Sequence, residues 1–224
     1  MNSEPFIPWS RITAFIRQHM HDVRNGLNLI NLEAEILQDS IPPGEATDGL
    51  RNISRQLHSL DKQLRSLSAF FQELLPLRSP VAARTLLQIF QSTHAELAAA
   101  LEVQWIDELD AQQVSVDTEL LTPVFRELLR NAAVFSPGAS LTVIAQAAER
   151  EVIFELREPK PEPVDTTGWG QPFFTTRHGG YGLGLWSAHR MLQASEATLT
   201  QHYTDGCLIS RIVFPEAGTM RAPP

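Results

Sequence analysis

The chain has 224 residues, 43% of them hydrophobic, and a formal net charge of −8, room for one large domain or two small ones. The acidic balance, with no lysine- or arginine-rich run, argues against nucleic-acid binding by phosphate neutralisation, and no run of about 18 apolar residues offers a membrane span. Cys207 is the only cysteine, so an internal disulfide is excluded, and with Met1-Asn2-Ser3-Glu4-Pro5 lacking the basic and apolar parts of a signal peptide a reducing cytoplasm is expected.

The first predicted element is a long helix over residues 10–39, with Ser10 as its N-cap after Pro8. Met20, Val23, Leu27, Ile30, Ala34 and Leu37 alternate three and four apart, the seam of a coiled coil or bundle. Gly26 marks a mild bend. Ile41-Pro42-Pro43-Gly44 breaks the helix. A second helix over residues 46–75 carries Leu50, Ile53, Leu57, Leu60, Leu64, Leu67, Phe71 and Leu74 at the same spacing. Helices of about 30 residues are about 45 Å long. A lone hairpin would leave part of each stripe wet, at roughly 1.5–3 kcal/mol for each large side chain left unburied. A homodimer closing a four-helix bundle is therefore expected, in preference to cover by the rest of the chain.

Pro76 and Pro80 bracket Arg78-Ser79 as a linker. Beyond it the pattern changes. Residues 83–101 read as helix, 102–106 as a strand, 114–116 as a short strand, and 118–135 as a helix following Asp117. Residues 141–146 and 151–157 read as paired strands about Ala147-Ala148-Glu149-Arg150. Residues 183–193 are helical, and 197–203 and 208–214 form a hairpin around Asp205-Gly206. The class is α+β, a helical hairpin followed by a two-layer α/β sandwich with a mostly antiparallel sheet. The expected division is a hairpin over 1–78, a sandwich domain over 79–218 and a disordered tail over 219–224.

Three strings carry chemistry. In His21-Asp22-Val23-Arg24-Asn25-Gly26-Leu27-Asn28, His21 falls one position off the seam, so its ring should stand in water beside a packed core. Asn25 follows one turn later on the same face. A solvated imidazole beside a carboxylate suits a nucleophile. In Glu127-Leu128-Leu129-Arg130-Asn131-Ala132, after Val116-Asp117 and Leu121, an amide oxygen is available to a hard cation such as Mg²⁺. In Pro172-Phe173-Phe174-Thr175-Thr176-Arg177 followed by Gly179-Gly180-Tyr181-Gly182-Leu183-Gly184-Leu185, glycines allow close backbone approach and open a helix whose N-terminal amides favour anions.

Taken in order over residues 10–216, these strings resemble the core of a bacterial two-component histidine kinase: a dimerising, phosphoaccepting helical hairpin followed by an ATP-binding domain of the GHKL type. The resemblance implies that His21 is the phosphoacceptor, that Asp22 moves protons, and that Asn25 positions a water for dephosphorylation. Gly26 stands where many members carry proline. Asn131 matches the asparagine that holds Mg²⁺ against the nucleotide phosphates, with Glu127 one turn earlier where the family has acid or amide. Thr175, Thr176, Gly180, Gly182, Leu183 and Gly184 match the phenylalanine and second glycine boxes around ATP.

The pattern departs from the family at the base of the nucleotide. An Asp-x-Gly-x-Gly box, whose aspartate bonds the adenine amino group, is expected after the strand Val152-Ile153-Phe154-Glu155-Leu156-Arg157. Here the segment reads Glu158-Pro159-Lys160-Pro161-Glu162-Pro163. Glu158 replaces the aspartate with a longer side chain, Lys160 and Glu162 replace glycines, and three prolines remove donors and stiffen φ. Val134 stands where a basic residue often follows the asparagine. The reading preferred is a phosphorelay protein like the Spo0B-like and ChpT-like phosphotransferases. In it His21 passes phosphoryl groups to the aspartate of a response regulator receiver domain, with ATP and Mg²⁺ binding weak or lost. The alternatives are an active autophosphorylating kinase and a non-catalytic module that binds a partner kinase or regulator. Partners implied are a receiver domain, a second copy of the chain and an upstream sensor kinase, with neither nucleic acid nor membrane.

Overall fold

Apolar seams at helical spacing produce two long helices at the start of the chain, and the computed structural model describes residues 8–42, 44–97, 101–176 and 181–218. The chain divides into two units, Met1–Glu73 and Leu74–Pro224. The expected tail 219–224 and the segment Met1-Asn2-Ser3-Glu4-Pro5 lie outside the described residues.

The first unit contains α1 (Trp9–Ser40) and α2 (Glu45–Phe70), packed as a hairpin. Helix α1 lacks the Ser10 cap that was expected: Pro8 holds the N-cap position, and its carbonyl accepts the Arg11 N–H at 2.9 Å. The helix continues through Gly26. The turn is tied by Thr47, whose Oγ1 donates to the Pro42 carbonyl at 2.8 Å. Helix α2 stops at Phe70, short of the expected residue 75. Pro76 offers no N–H and disfavours helical backbone at Leu75, so the last expected turn does not form. Met20, Ala34, Leu57 and Phe71 of the two seams are buried, whereas Val23, Ile30, Leu37, Ile53 and Leu60 are exposed. Arg24 crosses the hairpin, its Nε 3.4 Å from Asp61 Oδ1 and its Nη2 donating to Ser68 Oγ at 3.3 Å.

The second unit runs β1 (Ser79–Ala82), α3 (Ala83–Glu96), β2 (Glu102–Glu108), β3 (Gln113–Val116), α4 (Thr118–Phe135), β4 (Ser140–Ala148), β5 (Glu151–Pro159), α5 (Gly184–Ala194), β6 (Thr198–Thr204) and β7 (Cys207–Pro215). Strands β2-β4-β5-β7-β6 form a mixed sheet in that order, with β2 and β4 parallel and the other pairs antiparallel. The stretch read as a linker contains β1 instead, paired antiparallel with β3 so that Pro80 faces Ser115. A proline is tolerated there because a two-stranded ribbon has a free edge toward which its missing donor can point.

Period-two alternation sends Val152, Phe154 and Leu156 of β5 into one core with Leu86 and Phe90 of α3, Leu121, Phe125 and Leu129 of α4, and Leu192 of α5. Phe90 and Phe125 stack with centroids 4.2 Å apart, and Phe154 meets Phe214 edge-on at 6.0 Å. Asp117 caps α4, accepting the Glu119 N–H at 3.0 Å. Asp205 and Gly206 take φ of 49° and 76°, the two positive values that a type I′ hairpin turn requires.

Candidate functional site

His21 projects from the middle of α1 with its side chain 65% exposed, beside Asp22 at 59%. Its Nδ1 lies 3.4 Å from Asp22 Oδ1 and 3.2 Å from the Asn25 side-chain amide. Gln18, one turn before Asp22, donates from Nε2 to that same Oδ1 at 3.0 Å. Helical spacing explains the set: Gln18 and Asp22 are four apart, as are His21 and Asn25. With hydrogen on Nδ1 the ring donates toward Asp22 and Nε2 holds the lone pair, whereas with hydrogen on Nε2 it is Nδ1 that accepts from Asn25 Nδ2, so the two contacts belong to alternate tautomers. The structure thus brings together the three residues expected on the hairpin and adds Gln18.

The second cluster lies where α4, β5 and α5 converge. Glu127 and Asn131 occupy adjacent turns of α4, and Asn131 is half-buried. Arg130 Nη2 donates to Glu127 Oε2 at 2.5 Å. The other carboxylate oxygen lies against the start of α5: a Cβ placed on Gly184 would stand 1.9 Å from Glu127 Oε1. The carboxylate thus lies beside the first turn of α5, where an acid is favourable. Gly182 has φ of +65°, and a Cβ there would meet the Phe173 carbonyl carbon at 2.5 Å and the Phe174 nitrogen at 2.7 Å. These two glycines therefore admit the chain's own groups. Leu183 is buried at the N-cap of α5, Thr175 and Thr176 are exposed, and Gly180 lies outside the described residues.

Glu158 comes at the end of β5, and its surroundings differ from those expected of a base-binding acid. Ser136, just past α4, donates from Oγ to Glu158 Oε1 at 2.5 Å. Lys160 forms an ion pair with the same oxygen, and the two side chains are 10% and 8% exposed, Lys160 first. Lys160 Nζ also donates to the Phe135 carbonyl at 3.0 Å and to Ser136 Oγ at 2.6 Å. The carboxylate that should receive an adenine amino group is engaged from within the chain. The residues present therefore do not fit the base of ATP. Val134, exposed nearby on α4, supplies no charge.

Sequence reasoning missed Ser136 and the pairing of Lys160. A signal was present, because residues two apart on a strand share a face, so Lys160 follows Glu158 on the same side. It also missed His189 of α5, whose Nε2 would stand 2.7 Å from a Cβ on Gly170. Burial pushes the His189 pKa below its ordinary 6.5. The unfolded chain then binds the proton more readily than the folded one, so this residue makes stability fall as pH drops below about 6.5. Melts of the wild-type chain at pH 7.5 and 5.5 should show that loss, and His189→Gln should reduce it. An unchanged pH dependence in the variant would contradict the burial.

No protein-family model matches the chain. The sensor protein kinase FleS of Pseudomonas aeruginosa is 25% identical over 164 residues, which are 71% of this chain and 41% of FleS. The chain thus spans well under half the length of this curated relative. Among solved structures, full-length ShkA in complex with AMPPNP aligns with a TM-score of 0.64 and 18% identity over 92% of this chain and 47% of that one. The histidine kinase ThkA in complex with the response regulator protein TrrA aligns with a TM-score of 0.58 and 12% identity over 92% of this chain and 61% of that one. No helix among the described residues is long and apolar enough to cross a membrane.

Proposed function

Because the chain has the fold of a two-component histidine kinase core, we propose that it is a phosphorelay protein whose His21 exchanges phosphoryl groups with the aspartate of a response regulator receiver domain. The observation that carries this reading is the solvent-facing imidazole with Asp22 and Asn25 gathered at its Nδ1. In the forward step the Nε2 lone pair attacks phosphorus of the aspartyl phosphate. The phosphorus–oxygen bond breaks, and its electron pair leaves with the receiver carboxylate. The Asp22 carboxylate, facing the Nδ1 hydrogen, offsets the positive charge that the ring acquires. Transfer to a second receiver is the same step reversed, with no nucleotide required. The histidine kinase in complex with a response regulator among the structural neighbours supports the choice of partner.

Two copies of the hairpin forming a four-helix bundle are part of this reading. Val23, Ile30, Leu37, Ile53 and Leu60 lie on regular seams and are exposed in the single chain. Full burial of such side chains is worth roughly 1.5–3 kcal/mol each.

The deciding experiment mixes the chain with a phosphorylated receiver domain and no nucleotide. Acid-labile, base-stable label should appear on the chain, and failure to acquire any would end the phosphotransfer reading. Asn25→Ala should slow dephosphorylation of a partner receiver by about tenfold, the size of one lost positioning contact, while leaving transfer to it within a few-fold. An equal loss of both rates would remove the water-positioning role.

A further inference from the structure

We propose that Lys160 is the resident occupant of the base end of the nucleotide-like site, and that its ion pair with Glu158 is what keeps adenine nucleotides out of this chain. An ammonium has three hydrogens, and Lys160 Nζ has three acceptors: Glu158 Oε1, Ser136 Oγ and the Phe135 carbonyl. Ser136 closes the loop by donating its own hydrogen to Glu158 Oε1. No donor of the lysine is left over to bind a ligand.

The lysine is also held from behind. Its backbone N–H donates to the Gly206 carbonyl at 2.8 Å, and its carbonyl accepts from the Tyr203 hydroxyl at 3.5 Å, so the β6–β7 hairpin clamps it. Pro159 and Pro161, at the two variable positions of the family box, fix φ on either side of Lys160. An adenine amino group is a neutral donor. To reach Glu158 it must displace a charge-assisted bond and strand a buried ammonium, an uphill exchange. The chain's own cation thus takes the place of the base amino group.

The inference rests on the phosphorelay reading only in treating the second unit as a nucleotide-binding type of domain that no longer binds. The test titrates Mg·ATP into the wild-type chain and into Lys160→Met, which keeps the stem and removes the charge. The wild type should show no saturable binding up to millimolar ATP, and Lys160→Met should bind about tenfold more tightly or better. Micromolar binding by the wild type, or no gain in a Lys160→Met chain with a cooperative melt, overturns the proposal. A second measurement needs no variant. Lys62 and Lys160 are the only lysines, so mass spectrometry after amine acylation reads each one. Lys160 should react about tenfold more slowly or less in the folded chain than in urea; equal rates overturn the proposal. Receiver-to-chain phosphotransfer, run on the same samples, separates the two ideas. Its loss with Lys160 protected removes the phosphorelay reading alone, whereas intact transfer with ATP binding at micromolar concentration removes this one alone.

Discussion

His21→Ala is expected to abolish phosphoryl uptake from a phosphorylated receiver domain, by at least about a thousandfold, or roughly 4 kcal/mol of barrier. The size follows from removing the nucleophile itself. Asp22, Asn25 and Gln18 remain, but each is a partner of the ring or of its neighbour, and none has a lone pair suited to forming a stable phosphoramidate. The fold should survive, because alanine is the best helix former and His21 is exposed. Far-ultraviolet circular dichroism and the melting curve should therefore match the wild type while transfer is lost. His19 and His58 also lie on these helices. Acid-labile label persisting in His21→Ala would move the phosphoacceptor to another histidine and remove the site proposed here.

Gly182→Ala is expected to be the most damaging single-methyl addition in the second unit. Two costs add. A left-handed backbone costs an L-residue about 1–2 kcal/mol. The new methyl would also lie 2.5 Å from the Phe173 carbonyl carbon, and backbone on both sides has no rotamer with which to yield. Overpacking of that kind costs about 1–3 kcal/mol. The sum, about 2–5 kcal/mol, lowers the melting temperature of a unit this size by roughly 5–15 °C. Gly138 supplies the control, since its φ is +77° and nothing lies within 4 Å of a Cβ built there. Gly138→Ala should show the conformational cost alone, about 1–2 kcal/mol. Equal melting temperatures for the two variants would mean that the Phe173-Phe174 turn does not rest on Gly182.

Several elements were legible because their causes are local. The three-four seams place α1 and α2, the Asp117 cap starts α4 at Thr118, and Asp205-Gly206 turns the last hairpin. His21, Asp22 and Asn25 were readable as one group because helical geometry alone brings residues four apart together. The strand β1 was not readable, because Pro80 argues against a strand and only the partner β3 makes one. The end of α2 was placed too late, because the apolar period continues through Leu74 while the backbone stops at Phe70.

At the second site, residue types were visible and their partners were not. Composition and order marked Glu127, Asn131, Glu158 and the glycines, but their expected use was toward a ligand. The folded chain turns three of them inward: Glu127 to the first turn of α5, Gly182 to the Phe173-Phe174 backbone, and Glu158 to Lys160 and Ser136. Periodicity, caps and turn chemistry act over a few residues, so the sequence by itself determined the helices, the hairpins and the exposed imidazole. Which charge meets which carboxylate across packed elements depends on how α4, β5 and α5 converge. Only the tertiary structure decided that, because burial removes water as the competing partner and makes the nearest internal group the one that counts.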